Sequence, residues 1–337
     1  MSSAFPLLRL PDEALNRVIQ CMEFIDIVGF SLASNKTKET VKSLNLQITQ
    51  MFLITEEIIK IRVEGPSSMV WSFYPGEENA GREPIEVYMP ARVTASRENN
   101  QPNVVEYLNP DFSIQKWIDN VQYISAHPMN NYLVFKRETC KFDITSLMET
   151  IGTATVKALL FYDQCGVECA KKAVMQIPDT KNMFAVSRNL EEPSRYKDIL
   201  VQNLDGLYLG HRQVNMRMEL DDLLLINSKE ISIRSRNITD KMINKFLKHW
   251  IRGSNPRMEV ILLHILDGRI LDINVILRGL NFHEAPFDQV RFFTKPATEE
   301  TIEIVGGHDI RRVNGSVGTL KIEQRDEGGV LTFCVWN

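Results

Sequence analysis

Cysteine and histidine are the side chains of this sequence that could carry out nucleophilic chemistry. Cys165 and His211 would form a thiol–imidazole pair, in which the imidazole takes the proton of the attacking sulfur. Such partners are distant in sequence and meet only in the fold, so their spacing does not decide the matter. The sequence predicts no catalytic residue, and the Cys165–His211 pair remains the alternative in which the protein is an enzyme.

The spacing of the chemically active residues does not fit the common metal and nucleotide motifs. None of the six histidines occurs as H-x-x-x-H or H-E-x-x-H. Cys165 and Cys169 lie four residues apart but lack a second pair of zinc ligands. Gly306-Gly307 is not followed by the Lys-Ser or Lys-Thr of a phosphate-binding loop, and no G-x-S-x-G sequence occurs. The sequence therefore predicts neither a metal nor a cofactor.

The charge of the chain does not indicate a nucleic-acid partner. The 337 residues carry a net charge of −4, and the isoelectric point is near 6.0. One basic stripe recurs at helical spacing, in the order Lys241, Lys245, Lys248 and Arg252. A solvated helix face is the favoured interpretation of this stripe, and an acidic partner surface or nucleic acid is the alternative.

The sequence also predicts where the protein resides. No apolar run reaches the roughly 18 residues that a membrane-spanning helix needs, and the N-terminus lacks the basic and long apolar regions of a signal peptide. The five cysteines are scattered and do not indicate a disulfide framework. We expect a cytoplasmic or nuclear protein with no membrane partner.

The first 45 residues have the pattern of three short helices. Leu15, Val18, Ile19 and Met22 form the apolar stripe of an amphipathic helix, with Asp12 as its predicted N-cap. A second apolar helix follows with Asp26 as its predicted cap, and a third, polar helix covers residues 36–44. Three helices of this length are too few to bury a core alone. We expect them to pack on the rest of the chain or on a partner.

This segment resembles an F-box over residues 5–45. The resemblance rests on Leu10-Pro11, Asp12-Glu13, Leu15, Val18-Ile19, Ile27-Val28 and Leu32. It implies docking to the Skp-type adaptor of a cullin-based ubiquitin ligase, with Leu10, Pro11, Leu15 and Ile19 left partly exposed in the isolated chain. The alternative is an ordinary helical hairpin. The adaptor-binding residues that the resemblance implies are Leu7, Leu10, Pro11, Leu15, Val18, Ile19, Ile27 and Leu32.

The middle of the chain is predicted to be rich in strands. Residues 46–63, 69–74 and 85–89 have the β-branched and aromatic composition of strands, and residues 94–103 are the most loop-like segment. Asp111 is the predicted cap of a helix that carries Ile114, Trp117, Ile118 and Val121. Residues 46–150 are therefore predicted to be a β-rich linking region with a helix.

Strands and helices alternate at intervals of about 25 residues from residue 155 onward. Predicted strands at 158–162, 183–187, 206–209, 230–234 and 258–263 alternate with helical stretches at 168–177, 193–201, 220–225 and 240–251. Leu204-x-x-Leu207-x-Leu209 fits half of a leucine-rich-repeat signature. We predict a degenerate solenoid of this type, closed at its open end by a β-hairpin near the C-terminus; an ordinary α/β sandwich is the alternative.

A second resemblance lies in residues 221–259. The sequence Asn244-Lys-Phe-Leu-Lys-His-Trp-Ile251, followed by Gly253-Ser-Asn-Pro256, is similar to the F-box-associated region of a large nematode-type family that pairs this region with an F-box. Thr239 is the predicted cap of this helix and Gly253 its stop. Phe246 and Trp250 lie on its apolar stripe and are predicted to be core residues.

These patterns together predict an α+β protein with a three-helix F-box at 1–45, a linking region at 46–150 and an α/β F-box-associated domain at 151–337. The predicted function is that of a non-catalytic substrate receptor, bound to a Skp-type adaptor and through it to a cullin. A scaffold protein without ligase activity is the alternative. With Leu207, Leu209, Ile231 and Ile233 facing inward, the predicted target contacts are Tyr208, Ser232 and Arg234.

Overall fold

The structure is a computed structural model that divides into two compact units. The first unit contains Met1–Val134 and Cys140–Val156, and the second contains Phe135–Thr139 and Lys157–Asn337. The structure describes residues 7–55, 58–76, 86–97, 105–107, 112–136, 142–151, 156–162, 165, 167–176, 182–185, 197–210, 216–325 and 328–336.

Three short helices open the first unit, as the sequence predicts. A 3-10 turn, Leu7–Arg9, precedes α1 (Asp12–Gln20), α2 (Phe24–Ser31) and α3 (Asn35–Lys42). The predicted caps of α1 and α2 are wrong, because Pro11 and Glu23 occupy the N-cap positions. Asp12 and Asp26 lie instead in the first turns, where negative charge interacts favourably with the helix dipole.

A mainly antiparallel sheet follows the helices of the first unit. Its order is β6-β1-β2-β3-β4-β5, and side chains in β2 and β3 alternate between buried and half-buried. The strands are β1 (Gln50–Thr55), β2 (Ile59–Glu64), β3 (Ser68–Tyr74), β4 (Arg92–Arg97), β5 (Val105–Tyr107) and β6 (Asn130–Phe135).

Two predictions for this region are wrong. Residues 86–89 are not a strand, and Ile85 lies outside the described residues. Tyr88 is instead a buried anchor of irregular chain: its hydroxyl donates to the Phe73 carbonyl (2.7 Å) and accepts from the Ile59 N–H (3.2 Å). Residues 94–97, predicted as loop, form the end of β4, because pairing with β3 overrides their polar composition.

Helix α4 (Ile114–Ile124) is confirmed and supplies much of the core of the first unit. The Trp117 ring packs on Trp71 and Phe73, with ring centroids 5.3 and 5.8 Å apart. Ser113 is the N-cap, and the predicted cap Asp111 lies outside the described residues. Buried Asn120 on α4 donates to the Ser31 hydroxyl at the end of α2 (2.7 Å). The three N-terminal helices therefore pack on the rest of their own unit.

Helix α5 (Ile144–Ile151) follows α4 and β6 in the chain.

Strands and helices alternate in the second unit, as predicted. Strands β7 to β11 are parallel neighbours. The elements are β7 (Val156–Phe161), α6 (Val167–Gln176), β8 (Asn182–Ala185), α7 (Lys197–Leu200), β9 (Gly206–Leu209), α8 (Leu220–Leu225), β10 (Glu230–Ser235), α9 (Asp240–Ile251), β11 (Val260–Ile265) and α10 (Ile273–Ile276).

The C-terminal strands extend this parallel array with antiparallel neighbours, in the order β11-β17-β16-β15-β12. Strands β13 and β14 form a separate two-stranded sheet. The strands are β12 (Phe282–Glu284), β13 (Val290–Thr294), β14 (Thr301–Val305), β15 (His308–Arg311), β16 (Val317–Arg325) and β17 (Gly328–Trp336).

The predicted terminal hairpin exists as β16–β17, but it does not close the structure. Its strand β17 pairs with β11, and β15 and β12 continue beyond it, so β12 is the edge strand on that side. None of the described strands completes a closed sheet. The fold is therefore α+β, with helices first and a sheet-rich body after them, and the solenoid is not confirmed.

A glycine permits the hairpin to lie directly against β11. Gly328 has φ +137°, and a Cβ at this position would lie 1.9 Å from the Ile265 carbonyl oxygen. Any side chain would therefore collide with the neighbouring backbone and would also strain the Gly328 backbone. The first residue of β17 must therefore be glycine for the strand to lie this close to the end of β11.

Candidate interaction surfaces

The predicted adaptor-binding residues fall into an outer and an inner group. Pro11 and Val18 are exposed, and Leu7, Leu10 and Leu32 are half-buried. Leu15, Ile19 and Ile27 are buried. The expectation that Leu15 and Ile19 remain partly exposed is wrong, because the i, i+4 stripe of α1 faces the core of the first unit.

The Leu-Pro turn is held against α3 by a polar contact. Lys36 Nζ donates to the Leu8 carbonyl oxygen (3.2 Å). On α1, the exposed Arg17 side chain pairs with Glu13 one turn earlier (3.0 Å). A surface pair of this kind adds little stability. The outer group therefore consists of apolar side chains on the 3-10 turn, on α1 and at the end of α2, and α1 also carries exposed charged side chains.

Tyr208, Ser232 and Arg234, the predicted target contacts, lie on one face of the parallel strands β9 and β10 in the second unit. Ser232 is the register partner of Tyr208 on β9, and Arg234 is the partner of His264 on β11. All three predicted residues are half-buried. The predicted inward side chains Leu207, Leu209, Ile231 and Ile233 are buried, so the alternation of the two faces is confirmed.

Part of this face is covered by the chain between β13 and β14. Buried Glu230 shares the face with Ser232 and Arg234, and its carboxylate accepts from the N–H groups of Ala297 (3.1 Å) and Thr298 (3.2 Å). Burial and the neighbouring Glu230 carboxylate raise the pKa of the Tyr208 hydroxyl. Sequence reasoning missed Glu230, although its two-residue spacing from Ser232 places it on the same face.

His264 lies among basic groups at the other end of the face. Burial lowers the pKa of its imidazole to about 4, and the charges of Arg234, Arg325 and Lys295 act in the same direction. The imidazole is therefore neutral at pH 7. No pattern in the sequence distinguished this histidine from the other five, because the surrounding charges come from distant segments.

The β13–β14 hairpin packs on the same sheet through its inner side. Phe293 and Ile304 form a small core with Val260 and Cys334, and the Phe293 ring meets the Trp336 ring edge-on at 5.6 Å. Burial raises the pKa of the Cys334 thiol to about 12, so this sulfur stays protonated and is a poor nucleophile.

Ion pairs and hydrogen bonds fasten the hairpin to its neighbours. Arg291 makes two contacts of 3.1 Å with the carboxylate of Asp309 on β15. Asp309 in turn accepts from the Thr319 hydroxyl (2.6 Å), which also accepts from the indole N–H of Trp336 (2.6 Å). Sequence reasoning missed this hairpin altogether.

The structure leaves the alternative of a Cys165–His211 pair undecided. Cys165 is buried, and His211 lies outside the described residues. Among the described residues, no group of three or more His, Cys, Asp or Glu side chains could hold a metal ion. Of the helices in the described part of the chain, none is long and apolar enough to cross a membrane.

Comparison with known proteins confirms both resemblances. Residues 7–49 match the family model of the F-box domain, and residues 195–263 match that of the F-box associated family. The chain is 21% identical over 257 residues to the F-box associated domain-containing protein sdz-33 of Caenorhabditis elegans, which covers 75% of this chain and 76% of that protein. No solved structure matches the chain.

Proposed function

We propose that this chain, which pairs an N-terminal F-box with a C-terminal F-box-associated domain, is a substrate-receptor subunit of a cullin-based ubiquitin ligase. The observation that carries the proposal is that the two matched regions belong to different compact units of the chain. Residues 7–49 fall in the first compact unit, and residues 195–263 fall in the second. One unit can therefore bind the shared adaptor while the other binds a target protein.

The adaptor would bind the three N-terminal helices, which we assign to residues 1–45. Leu7, Leu10, Pro11, Val18 and Leu32 would contact the Skp-type adaptor directly, because these side chains retain exposed surface. Leu15, Ile19 and Ile27 would support that surface from the buried side of the helices. The cullin would be reached through the adaptor alone.

The target would bind the body of the protein, residues 151–337, beyond a linking region at 46–150. Tyr208, Ser232 and Arg234 are our proposed contacts on the sheet face, since tyrosine and arginine often act as interface hot spots. The chain would carry out no step of ubiquitin transfer and would need no cofactor. Its contribution would be a high local concentration of target lysines beside the conjugating enzyme, in the cytoplasm or nucleus.

Co-purification tests the proposal directly. The full chain, tagged and expressed with a Skp-type adaptor and a cullin, should recover both proteins. Recovery of the adaptor without the cullin would favour a scaffold that uses the F-box outside a ligase. Recovery of neither protein would contradict both functions.

A further inference from the structure

The two sides of the β13–β14 hairpin differ sharply in exposure. On the inner side, Phe293 is 7% exposed and packs on the sheet beneath it. On the outer side, Val290 is 46% exposed and Phe292 is 69% exposed. Phe287, just before the hairpin, is 92% exposed. The hairpin thus holds itself in place with one set of apolar side chains and leaves another set in solvent.

The exposed apolar side chains are carried by neighbouring backbone segments. Val290 is the register partner of Val305 on β14, and Phe292 is that of Glu303. The Phe287 backbone passes beside Gly306, immediately after β14: a Cβ built on Gly306 would lie 3.7 Å from the Phe287 Cα. Exposed apolar patches of this kind mark interaction sites, and aromatic side chains supply much of the binding energy in them.

The surroundings of this patch are acidic. Lys295 and Arg291, the basic residues of the hairpin, are neutralised by Glu300 (2.5 Å) and Asp309 (3.1 Å) respectively. Four further carboxylates of this segment are exposed: Glu284, Asp288, Glu299 and Glu303. The apolar outer side is therefore bordered by a net negative charge.

We propose that Phe287, Val290 and Phe292 form the anchoring surface for the target, and that they bind a segment of a partner protein in which basic side chains flank apolar ones. This inference rests on the proposed receptor function and names its partner chemistry. The acidic border would repel nucleic acid and anionic lipid surfaces. It would also oppose a second copy of the chain, because the same carboxylates would face one another across the interface.

The anchoring surface complements the contacts proposed on the sheet face. The chain that joins β13 to β14 is bound by Glu230, which shares a face with Ser232 and Arg234. The hairpin therefore connects a fixed, half-buried sheet face to an exposed apolar one. A bound segment would insert apolar side chains against Phe292 and place basic side chains near Glu303.

A random peptide library displayed on phage, selected on the full chain, tests this surface. Enriched peptides should carry Lys or Arg beside apolar residues, and their binding, measured by fluorescence anisotropy, should weaken as salt is added. Phe292→Ser should weaken binding about tenfold or more, equivalent to about 1.4 kcal/mol. Glu303→Lys should also weaken peptide binding.

Ile270→Ser is the matched control, because Ile270 is 77% exposed in the same unit and lies outside the hairpin. This variant should leave peptide binding unchanged.

Several results would overturn the inference. They are enrichment of acidic or neutral peptides, failure to enrich any peptide that depends on Phe292, or equal effects of Phe292→Ser and Ile270→Ser. A dimer of the chain that dissociates on Phe292→Ser, seen by light scattering, would assign the surface to a second copy. Adaptor recovery is measured separately on the same variants. If the wild-type chain recovers no adaptor, the receptor function is contradicted, and the peptide selection still decides this surface.

Discussion

The indole ring of Trp250 on α9 meets the ring of Phe333 on β17 edge-on, with centroids 4.8 Å apart and planes at 89°. Both side chains are fully buried. The guanidinium of Arg312 lies over the indole ring, 5.4 Å from its centroid, and donates to the Ser254 carbonyl oxygen (2.9 Å). Trp250 therefore joins the helix layer of the second unit to its sheet.

Trp250→Ala should lower the free energy of unfolding by about 3–5 kcal/mol, because it removes a large aromatic side chain from a packed core. Chemical denaturation of the purified chain measures this loss. Trp250→Phe is the control, since it keeps an aromatic ring for Phe333 and should cost clearly less. An unchanged unfolding midpoint together with lost partner binding would instead make Trp250 a recognition residue.

Leu10→Ala combined with Pro11→Ala should weaken adaptor binding by several kcal/mol, since truncation of a central apolar anchor costs about 2 kcal/mol or more. Leu10 is half-buried and Pro11 exposed, so the fold should survive the change. Calorimetric titration with purified adaptor gives the affinity.

A leucine truncation in the second unit provides the control for the adaptor measurement. Leu225→Ala removes an exposed leucine far along the chain from the F-box and should leave adaptor affinity unchanged. Wild-type affinity in the Leu10→Ala, Pro11→Ala protein would remove the basis for the adaptor assignment.

His264 should make stability depend on pH in a mildly acidic range. Its folded pKa of about 4 lies below the ordinary value of 6.5, so the unfolded chain binds a proton more readily than the folded chain. The stabilisation is fully present above about pH 6.5 and is lost as pH falls toward 4, with a slope of at most about 1.4 kcal/mol per pH unit.

Urea denaturation across this pH range, compared between wild type and His264→Gln, checks the assignment. The variant should lose part of the pH dependence, because glutamine does not titrate. Parallel pH profiles for the two proteins would show that the imidazole does not contribute.

Local signals in the sequence were sufficient for the bounds of α9 and for the buried face of the parallel strands β9 and β10. Thr239 caps α9 and Gly253 follows its end, so the bounds Asp240–Ile251 were predicted correctly. The spacing of Leu207 and Leu209, and of Ile231 and Ile233, likewise predicted which face of β9 and β10 is buried. Each of these features is decided within a few neighbouring residues.

The caps of α1 and α2 were misplaced by one and three residues, but the other errors concern contacts between distant segments. The burial of Ile19 accompanies packing of the N-terminal helices on α4, where Ser31 meets Asn120, 89 residues away. The hairpin over the sheet face depends on Glu230 and Thr298, 68 residues apart. The segment after Phe292-Phe293 contains Pro296 but no glycine-containing turn that would indicate a hairpin. Sequence reasoning therefore placed the target contacts on the sheet face and missed the exposed side of β13–β14.

The final prediction separates target binding from adaptor binding. Tyr208→Ala combined with Arg234→Ala should abolish recovery of the target, while the adaptor and cullin still co-purify, because these side chains belong to the second unit. Targets are first identified by proximity labelling with and without proteasome inhibition. Recovery of each target with the variant chain is then measured by quantitative immunoblot.

Half-burial of Tyr208 makes a stability control necessary. Tyr208→Phe removes only the hydroxyl beside Glu230 and keeps the ring, so it should retain the target if the ring is the contact. The melting temperature of the double variant must stay close to that of wild type for loss of the target to count, since a half-buried side chain can contribute more than the roughly 0.5 kcal/mol typical of surface positions. Undiminished recovery of the target by a folded double variant, with loss in Phe292→Ser, would place recognition on the hairpin and remove the sheet face from it.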